Sequence, residues 1–528
     1  MFTASGRMEI IMFSTIYSAA TNGIDGYLIT VECNADNRMP HLELVGLPDA
    51  AVKESKERVR TAAQNSGFQM RDMSFTINLA PANIRKEGSV LDLPILLSML
   101  SGGGIIRRSV DLTDKAFIGE LSLSGHLRPV NGSLSMCCAA RDSGIKEFYV
   151  PAQNAKEVSV VDGITVYGVE SVSELVRHLN GSQPMTPVKY DKSEFGAGLY
   201  DRSLDFKSVK GQAKAKRAME IAAVGRHNVL LIGAPGTGKS MLAKRLPSIL
   251  PPLSFEDAIE TTKIYSVSGQ MPQGQQIMKN RPFRSPHHTM SSVSLVGGGA
   301  IPQPGEISLA HNGVLFLDEF PEFPANVIES LRQPIEDRKV TITRAAAKLT
   351  FPCDFMLVAA MNPCKCGYFG HPSGKCTCKK GEVHKYISRI SGPMLDRFEI
   401  QVEMAPLTAD ELTRPYDSEE SSEVIRERVL EARDFADKRI TRLSDGLYTR
   451  ADELSPEESL KYCEMDEKAV DFMKKAYDRL GLSARGYDRM VRLSRTIADM
   501  AKSEKTQVLH VSEALQLRSL DKKYWYEN

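Results

Sequence analysis

A glycine-rich loop that ends in a lysine and a serine is the part of the sequence that most directly indicates chemistry. It follows the apolar run at 229–232, which is typical of a buried parallel strand, and it matches the pattern G-x-x-x-x-G-K-[ST]. In such loops backbone N–H groups surround phosphate oxygens, the lysine reaches the β and γ phosphates, and the hydroxyl binds Mg²⁺. The predicted nucleotide ligands are Gly233, Pro235, Gly236, Thr237, Gly238, Lys239 and Ser240.

Two acidic residues follow a second apolar run, V-L-F-L at 314–317. At the tip of such a strand one carboxylate binds Mg²⁺ through water, and the next orients and polarises the attacking water. We therefore predict that Ser240 and Asp318 share a Mg²⁺ ion and that Glu319 is catalytic. The loop and the acidic pair together predict a Mg²⁺-dependent ATPase whose nucleotide is ATP.

Four cysteines form a separate cluster in C-K-C-G-Y-F-G-H-P-S-G-K-C-T-C, at 364–378. Two C-x-C pairs separated by turn-forming residues suit a closed tetrahedral Zn²⁺ site of structural type. An iron–sulfur cluster and disulfides are the alternatives, and the low total of nine cysteines favours a reducing compartment over a disulfide framework. The predicted zinc ligands are Cys364, Cys366, Cys376 and Cys378.

Composition indicates a globular protein of several domains. The 528 residues are too many for one core, while 42% apolar and 25% charged residues are ordinary values. A formal net charge of +1 identifies no class of partner. No apolar run reaches the ~18 residues of a membrane span, and residues 1–20 do not resemble a signal peptide. We therefore expect a cytoplasmic protein without a membrane partner.

The chain divides by pattern into four segments. Residues 12–179 read as mixed α/β, with the strands 27–32 and 74–79 and the helices 50–65 and 93–101 as examples. Residues 180–204 have the composition of a linker. The third segment, 205–406, holds the nucleotide motifs and the cysteine insert, and the fourth, 407–528, has helical periodicity throughout. We predict an α/β fold, with a parallel-sheet module in the third segment and an all-α lid in the fourth.

The first segment contains three stretches that match a known domain: V-G-L-P-D-A-A-V-K-E-S-K-E-R from Val45, K-E-G-S-V-L-D-L-P from Lys86, and G-E-L-S-L-S-G-H-L-R-P-V-N-G from Gly119. By these stretches the segment resembles the Lon-protease-like domain, which has an S5-type fold. Lon-type proteolysis needs a serine nucleophile activated by a lysine. Aligned on these motifs, the nucleophile position holds Val90, with Ser89 one place early, and the lysine position holds Leu134. The resemblance implies a Lon-like domain without the catalytic dyad.

The third segment resembles AAA+ ATPase modules. Val209 and Gly211, in D-F-K-S-V-K-G-Q at 205–212, match residues that lie near the adenine. Asn362 follows a further apolar run and matches sensor one, the polar residue that holds the lytic water. The resemblance thus adds one catalytic and two nucleotide-binding residues.

Two arginines have roles implied by resemblance alone. Arg397, in G-P-M-L-D-R-F, matches the trans arginine finger of the magnesium chelatase ATPase subunit and the MCM helicases, which contacts the γ-phosphate of a neighbouring subunit. Arg485, in L-S-A-R-G-Y-D-R-M, matches sensor two, which contacts the γ-phosphate. Arg489 competes for that second role because it lies one turn later on the same helical face.

An alternating segment at 337–351 predicts a β-hairpin with Arg344 and Lys348 beside a tip at 345–347. In MCM-like rings such hairpins line the central pore, and a basic tip suits the phosphate backbone of DNA. The adjacent His287 and His288 do not predict a metal site, since no third ligand is apparent.

Together these features resemble the YifB/ComM family of magnesium-chelatase-like AAA+ ATPases over nearly the whole chain. The resemblance implies a homo-hexameric, ATP-dependent DNA translocase or helicase that promotes branch migration in homologous recombination and natural transformation. Single-stranded or branched DNA and recombination proteins are the implied partners. Two alternatives stay open: a chelatase-type subunit that drives metal insertion or protein remodelling, and an ATP-dependent protease, against which the missing dyad argues.

Overall fold

The computed structural model describes residues 12–36, 39–69, 73–84, 86, 88–195, 202–272, 274–300, 302–344, 348–413, 415, 419–451, 454–518, 520 and 524–525. The chain forms two compact units. The first comprises Met1–Ala197 and Phe255–Met278, and the second comprises Gly198–Ser254 and Lys279–Asn528. The second unit is therefore discontinuous in sequence, because the chain leaves it after Ser254 and returns at Lys279. The four segment boundaries given above remain predictions.

The first unit is built on a seven-stranded mixed sheet. Its strands are β1 (Met12–Asn22), β2 (Asp25–Asp36), β3 (His41–Val45), β4 (Ser74–Ala80), β5 (Lys115–Phe117), β6 (Glu120–Leu121), β7 (Leu127–Arg128), β8 (Glu147–Pro151) and β9 (Thr165–Val169). The order in the large sheet is β3-β4-β2-β1-β5-β8-β9. The hairpin of β1 and β2 and the β2–β4 pair are antiparallel, while the other neighbours are parallel. The short strands β6 and β7 form their own antiparallel pair.

The described residues of this unit form six α-helices, which are numbered here along the whole chain. They are α1 (Ala50–Asn65), α2 (Asp92–Gly102), α3 (Ser133–Asp142), α4 (Ala152–Val158), α5 (Val172–Leu179) and α8 (Phe255–Val267). Helix α2 is buried along almost its whole length, and its first residue, Asp92, accepts hydrogen bonds from Arg58 Nε at 2.9 Å and Leu121 N at 3.2 Å. The two strands and two helices predicted in this part of the sequence are confirmed as parts of β2, β4, α1 and α2.

The second unit contains a five-stranded parallel sheet in the order β11-β14-β17-β10-β18. The unit's strands are β10 (Val229–Gly233), β11 (Phe283–Arg284), β12 (Gly297–Gly298), β13 (Gln303–Pro304), β14 (Val314–Leu317), β15 (Lys339–Thr343), β16 (Lys348–Pro352), β17 (Met356–Met361) and β18 (Ile400–Met404). Every residue of β10, β14 and β17 is buried, which explains why these strands read as unbroken apolar runs. Because the strands are parallel, their carboxyl ends meet at one edge of the sheet.

The other α-helices of the described residues lie before, between and after the strands of this unit along the chain, and the last six of them make up most of its carboxy-terminal part. They are α6 (Ala213–Gly225), α7 (Lys239–Arg245), α9 (Ser292–Val296), α10 (Glu306–Leu309), α11 (Ala325–Ser330), α12 (Arg332–Asp337), α13 (Lys380–Ile387), α14 (Gly392–Leu395), α15 (Ala409–Thr413), α16 (Ser422–Leu443), α17 (Pro456–Lys461), α18 (Glu467–Leu480), α19 (Ala484–Met500) and α20 (Val508–Gln516). Helices α16 and α19 pack against α6, so the helical carboxy-terminal part shares a core with the sheet. The mixed α/β fold, the parallel sheet and the helical carboxy-terminal part are thus confirmed.

Candidate active site and cysteine cluster

The glycine-rich loop connects the carboxyl end of β10 to the start of α7. Gly236 and Gly238 adopt φ of +82° and +90°, values that favour glycine because a Cβ would be strained there. The Thr237 hydroxyl donates to the carbonyl oxygen of Ala234 at 2.9 Å, which closes the turn. The strand, loop and helix therefore have the geometry of a phosphate-binding loop, in which the amino end of the following helix faces the phosphate site.

Lys239 is held inside this loop. Its Nζ donates to the carbonyl oxygens of Gly233 at 2.7 Å and Ala234 at 3.0 Å, and to Asn362 Oδ1 at 3.1 Å. The side chain is buried, and burial lowers its pKa to about 8 against the opposing attraction of Asp318 and Glu319. The predicted phosphate-binding lysine and the predicted sensor residue thus contact each other directly.

The acidic pair lies at the same edge of the sheet, immediately after β14. The Ser240 hydroxyl donates to Asp318 Oδ2 at 2.5 Å, and the backbone N–H of Glu319 donates to Asp318 Oδ1 at 2.9 Å. A hydroxyl and a carboxylate in contact are oxygen donors that suit Mg²⁺. Glu319 adopts φ of +51°, and its side chain is 54% exposed, so the carboxylate faces the space where water has access.

The predicted adenine-side residues adjoin the loop through a short connection. Val209 is buried, and the N–H of Gly211 donates to Glu419 Oε1 at 2.9 Å. Between this turn and the loop, Gln212 Nε2 donates to the carbonyl oxygen of Thr237 at 3.3 Å. The contact with the phosphate-binding loop is thus made by Gln212, the residue after Gly211.

Arg397 lies at the other edge of the sheet. It precedes β18, and the amide of Asn228, the residue before β10, donates to its carbonyl oxygen at 2.9 Å. Its guanidinium is 4% exposed, lies 2.8 Å from Glu336 Oε1, and donates from Nε to the carbonyl oxygen of Arg332 at 3.0 Å. The full length of β10 separates Arg397 from the phosphate-binding loop of its own chain.

Arg485 accompanies Arg397 at that edge. Its Nη1 lies 3.6 Å from the same Glu336 oxygen, and its side chain is 70% exposed. Arg489 is mostly buried, with Nε 3.7 Å from Glu399 Oε1. The two predicted γ-phosphate arginines are therefore brought together around Glu336, and neither lies beside the loop of its own chain.

The four cysteines of the insert converge. Their Sγ atoms all lie within 4.8 Å of one another, with distances of 3.3 Å for Cys364–Cys366, 3.6 Å for Cys366–Cys376 and 3.9 Å for Cys364–Cys376. Four sulfurs at ~2.3 Å from a tetrahedral zinc are separated by roughly 3.8 Å. The donor set and its spacing thus fit zinc, with Cys378 as the fourth ligand, and all four residues are free cysteines.

The predicted hairpin is confirmed as β15 and β16. Thr343 pairs with Lys348, and the residues of each strand alternate between buried and exposed. Arg344 and Lys348 are both exposed. The tip, 345–347, lies outside the described residues. The exposed face of the hairpin therefore presents two cations next to its turn.

The Lon-like unit has apolar groups at both dyad positions. Val90 and Leu134 are buried, and the Ser89 hydroxyl donates to the carboxylate of Glu120. The lysine nearest in sequence, Lys86, is itself wholly buried, with Nζ donating to the carbonyl oxygen of Ile84 at 2.8 Å. The aligned positions thus lack a serine nucleophile and an activating lysine.

One contact of the site was not predicted from the sequence. His288 Nδ1 lies 3.3 Å from Glu319 Oε2. His288 follows β11, which pairs with β14, so the sheet order places the histidine beside the acidic pair. The short strand β11 has too few residues to be recognised by periodicity, and the sequence therefore gave no signal for this contact.

This parallel sheet, phosphate-binding loop and acidic pair define a P-loop ATPase of the AAA+ class. Three family models match the chain: "Magnesium chelatase, subunit ChlI" over residues 205–412, "Subunit ChlI of Mg-chelatase" over 31–154, and "Magnesium chelatase, subunit ChlI C-terminal" over 419–518. The chain belongs to the ComM/YifB family of magnesium-chelatase-like AAA+ ATPases.

Two relatives align with nearly the full chain, and a third aligns with a quarter of it. The competence protein ComM of Haemophilus influenzae is 40% identical over 96% of this chain and 97% of its own length. The YifB protein of Escherichia coli is 39% identical over the same shares. Lon protease 2 of Bacillus subtilis is 28% identical over 134 residues, or 25% of this chain. Within the described residues, helices long and apolar enough to cross a bilayer are absent.

Proposed function

We propose that this protein is an ATP-dependent DNA translocase that acts as a homo-hexameric ring and promotes branch migration in homologous recombination and natural transformation. The observation that carries the proposal is the position of Arg397, a full strand length from the phosphate-binding loop of its own chain. A guanidinium at that edge serves catalysis by reaching the nucleotide of a second copy. Hydrolysis then requires assembly, which is how ring-shaped ATPases work.

Each role in the proposed ATP hydrolysis is assigned to particular residues of the chain. Lys239 exchanges its loop carbonyl partners for the β and γ phosphates. Ser240 and Asp318 would hold a Mg²⁺ ion, which would neutralise negative charge on the phosphates. Asn362 and Glu319 orient the attacking water, and Glu319 accepts its proton.

Trans stabilisation of the transition state is the proposed role of the arginine pair. Arg397 and Arg485 of a second copy contact the γ-phosphate. Before that contact forms, Glu336 of the same copy holds the two guanidinium groups close together. The arrangement favours Arg485 over the more buried Arg489 as the exposed partner of Arg397.

Two observations support DNA as the substrate that moves. The exposed hairpin presents Arg344 and Lys348, which suit a phosphate backbone irrespective of base sequence. The relative from Haemophilus influenzae, which shares 40% of its aligned residues, is named a competence protein. We propose single-stranded or branched DNA as the ligand, with recombination proteins as further partners and a structural zinc ion in the four-cysteine site.

The test is ATP turnover with and without forked DNA. We expect forked DNA to stimulate wild-type turnover, and Glu319→Gln to lower turnover by about 10²–10⁴-fold while ATP binding is retained. Glu322→Gln is the matched control, because Glu322 is a nearby acid that pairs with Arg389 on the surface at 2.8 Å. Turnover that does not respond to any DNA would contradict the proposal.

A chelatase-type remodelling ATPase is the second candidate. The matching family models favour it, since all three describe the magnesium chelatase subunit ChlI. This candidate predicts turnover that is stimulated by a protein partner and unaffected by DNA. The same assay therefore separates the two.

A further inference from the structure

The four-cysteine insert and the residues just before it contact the phosphate-binding loop at two points. The first is the hydrogen bond from Lys239 Nζ to Asn362 Oδ1, two residues before Cys364. The second lies at Gly367, where a Cβ would stand 2.6 Å from Pro235 Cδ and 2.8 Å from Pro235 Cγ. The insert backbone is thus packed against the proline ring of the loop so closely that only glycine fits.

The cysteine cluster fixes the chain between these two points. Cys364 follows Asn362 by two residues and is buried, and Cys366 directly precedes Gly367. The N–H of Gly367 donates to the carbonyl oxygen of Cys364 at 2.9 Å, and that of Phe369 donates to Cys364 Sγ at 3.3 Å. Two of the four sulfur ligands, those of Cys364 and Cys366, therefore lie between the two points at which the chain contacts the loop.

Regular secondary structure does not hold this part of the insert. Residues 362–379, all of them described, form neither helix nor strand. A chain segment of this kind has no backbone ladder to order it, so convergence of four sulfurs on a metal is the feature that can fix its path.

We propose that the four-cysteine site positions the phosphate-binding loop, so that a metal ion held by these thiols sets the affinity of the protein for ATP. The proposal rests on the proposed function in one respect, namely that the loop binds ATP. Gly367 of the insert lies against the ring of Pro235, and Asn362, which directly precedes the insert, accepts a hydrogen bond from Lys239. Pro235 directly precedes Gly236, whose left-handed conformation aims the loop's N–H groups, so a shift of the proline ring misdirects them.

The insert offers a matched pair of glycines for the test. Gly367 and Gly370 have φ of +85° and +73°, so alanine is similarly strained at both. A Cβ at Gly370 meets nothing within 4 Å, whereas one at Gly367 meets Pro235. We expect Gly367→Ala and Gly370→Ala to bind the same amount of zinc as wild type, measured colorimetrically after unfolding. We expect only Gly367→Ala to weaken binding of a fluorescent ATP analogue, by about tenfold or more.

A compensating change separates loop positioning from general damage. Pro235→Ala removes the ring that the new methyl group meets, so adding Gly367→Ala to a Pro235→Ala protein should have less than a twofold further effect on affinity. Cys376→Ser, which removes one ligand, should lose zinc and weaken analogue binding at a temperature where circular dichroism shows the variant folded.

Equal affinity of Gly367→Ala and Gly370→Ala would overturn the inference, as would wild-type affinity in a zinc-free protein. Either result leaves the proposed function standing, because wild-type protein still binds ATP. Failure of wild-type protein to bind the analogue would overturn both.

Discussion

The Nδ1 atom of His288 lies 3.3 Å from Oε2 of Glu319, the residue that we propose as the catalytic base. The imidazole is held there by aromatic neighbours. Its ring centroid is 4.2 Å from that of His287 and 6.3 Å, in an edge-on arrangement, from that of Phe323. The imidazole therefore contacts a carboxylate oxygen of Glu319 that is needed to accept the proton of the attacking water.

His288→Ala is therefore expected to raise ATP turnover measured without DNA. A polar contact with a carboxylate as exposed as that of Glu319 contributes about 0.2–1 kcal/mol, so its removal should raise the basal rate by up to about fivefold. If forked DNA stimulates turnover by displacing His288 from Glu319, the stimulation should shrink by the same factor, because the alanine variant has no histidine to displace. Both rates come from one coupled assay at saturating ATP.

His287→Ala is the control for this prediction. His287 Nδ1 pairs with the Thr289 hydroxyl at 2.9 Å, so its loss leaves the contact with Glu319 in place. A fall in turnover for His288→Ala as large as that for Glu319→Gln would show that the histidine assists the base.

Arg397→Ala is expected to lower turnover by about 10³–10⁵-fold if the arginine acts on the nucleotide of a neighbouring copy. Mixing this inactive variant with inactive Glu319→Gln should restore activity. At some interfaces of a mixed ring, the intact Glu319 of one chain faces the intact Arg397 of the other. The measurement is turnover as a function of mixing ratio, with a maximum expected between the pure variants.

The same mixture can also give the result that would contradict a role in trans. If both residues act within one chain, each active site of the mixture lacks one of them and turnover stays at the level of the pure variants. Native mass spectrometry of the mixture confirms that mixed assemblies formed.

The nucleotide motifs could be predicted from the sequence because each is local. The loop from Gly233 to Ser240 and the pair Asp318 and Glu319 are adjacent residues on single strand ends, and a parallel sheet places all strand ends at one edge. Contacts such as Ser240–Asp318 then follow from sheet order alone. The four cysteines converge for a similar reason, since a short insert can hardly keep them apart.

The parts that escaped prediction depend on distances between segments. Arg485 matches a sensor motif by sequence, yet its position beside Glu336 depends on how α19 packs against the core. The close approach of Gly367 to Pro235 gives no sequence signal, because a glycine in an insert rich in turns reads as an ordinary turn. The segment Phe255–Met278 belongs to the first unit although it follows the phosphate-binding loop, and no local pattern indicates this.

Removing the two cations of the hairpin should weaken DNA binding in a salt-dependent way. The double variant Arg344→Ala with Lys348→Ala loses two phosphate contacts, so the slope of log affinity against log salt should fall by about 1.4 for single-stranded DNA. Fluorescence anisotropy with a labelled oligonucleotide measures this slope. Lys339→Ala, which removes an exposed cation at the base of the same hairpin, should change it by less than half as much.

A buried histidine makes the stability of the second unit sensitive to acid. His227 Nε2 lies 2.8 Å from the Thr496 hydroxyl of α19, and burial lowers its pKa from 6.5 to about 4, with Glu399 opposing and Arg492 reinforcing the shift. Between pH 4 and 6.5 the unfolded chain therefore binds a proton that the folded chain excludes. Stability consequently rises with pH across this window and is lost as the pH falls, by up to about 3 kcal/mol at its lower end.

His227→Gln should reduce that dependence, since glutamine keeps a polar group opposite Thr496 but does not titrate. We expect the difference in Tm between pH 5 and pH 7, measured by scanning calorimetry, to be smaller in this variant than in wild type. His384 is an exposed histidine on α13, so the variant His384→Gln should keep the wild-type difference in Tm. An unchanged difference in His227→Gln would assign the acid sensitivity to other groups.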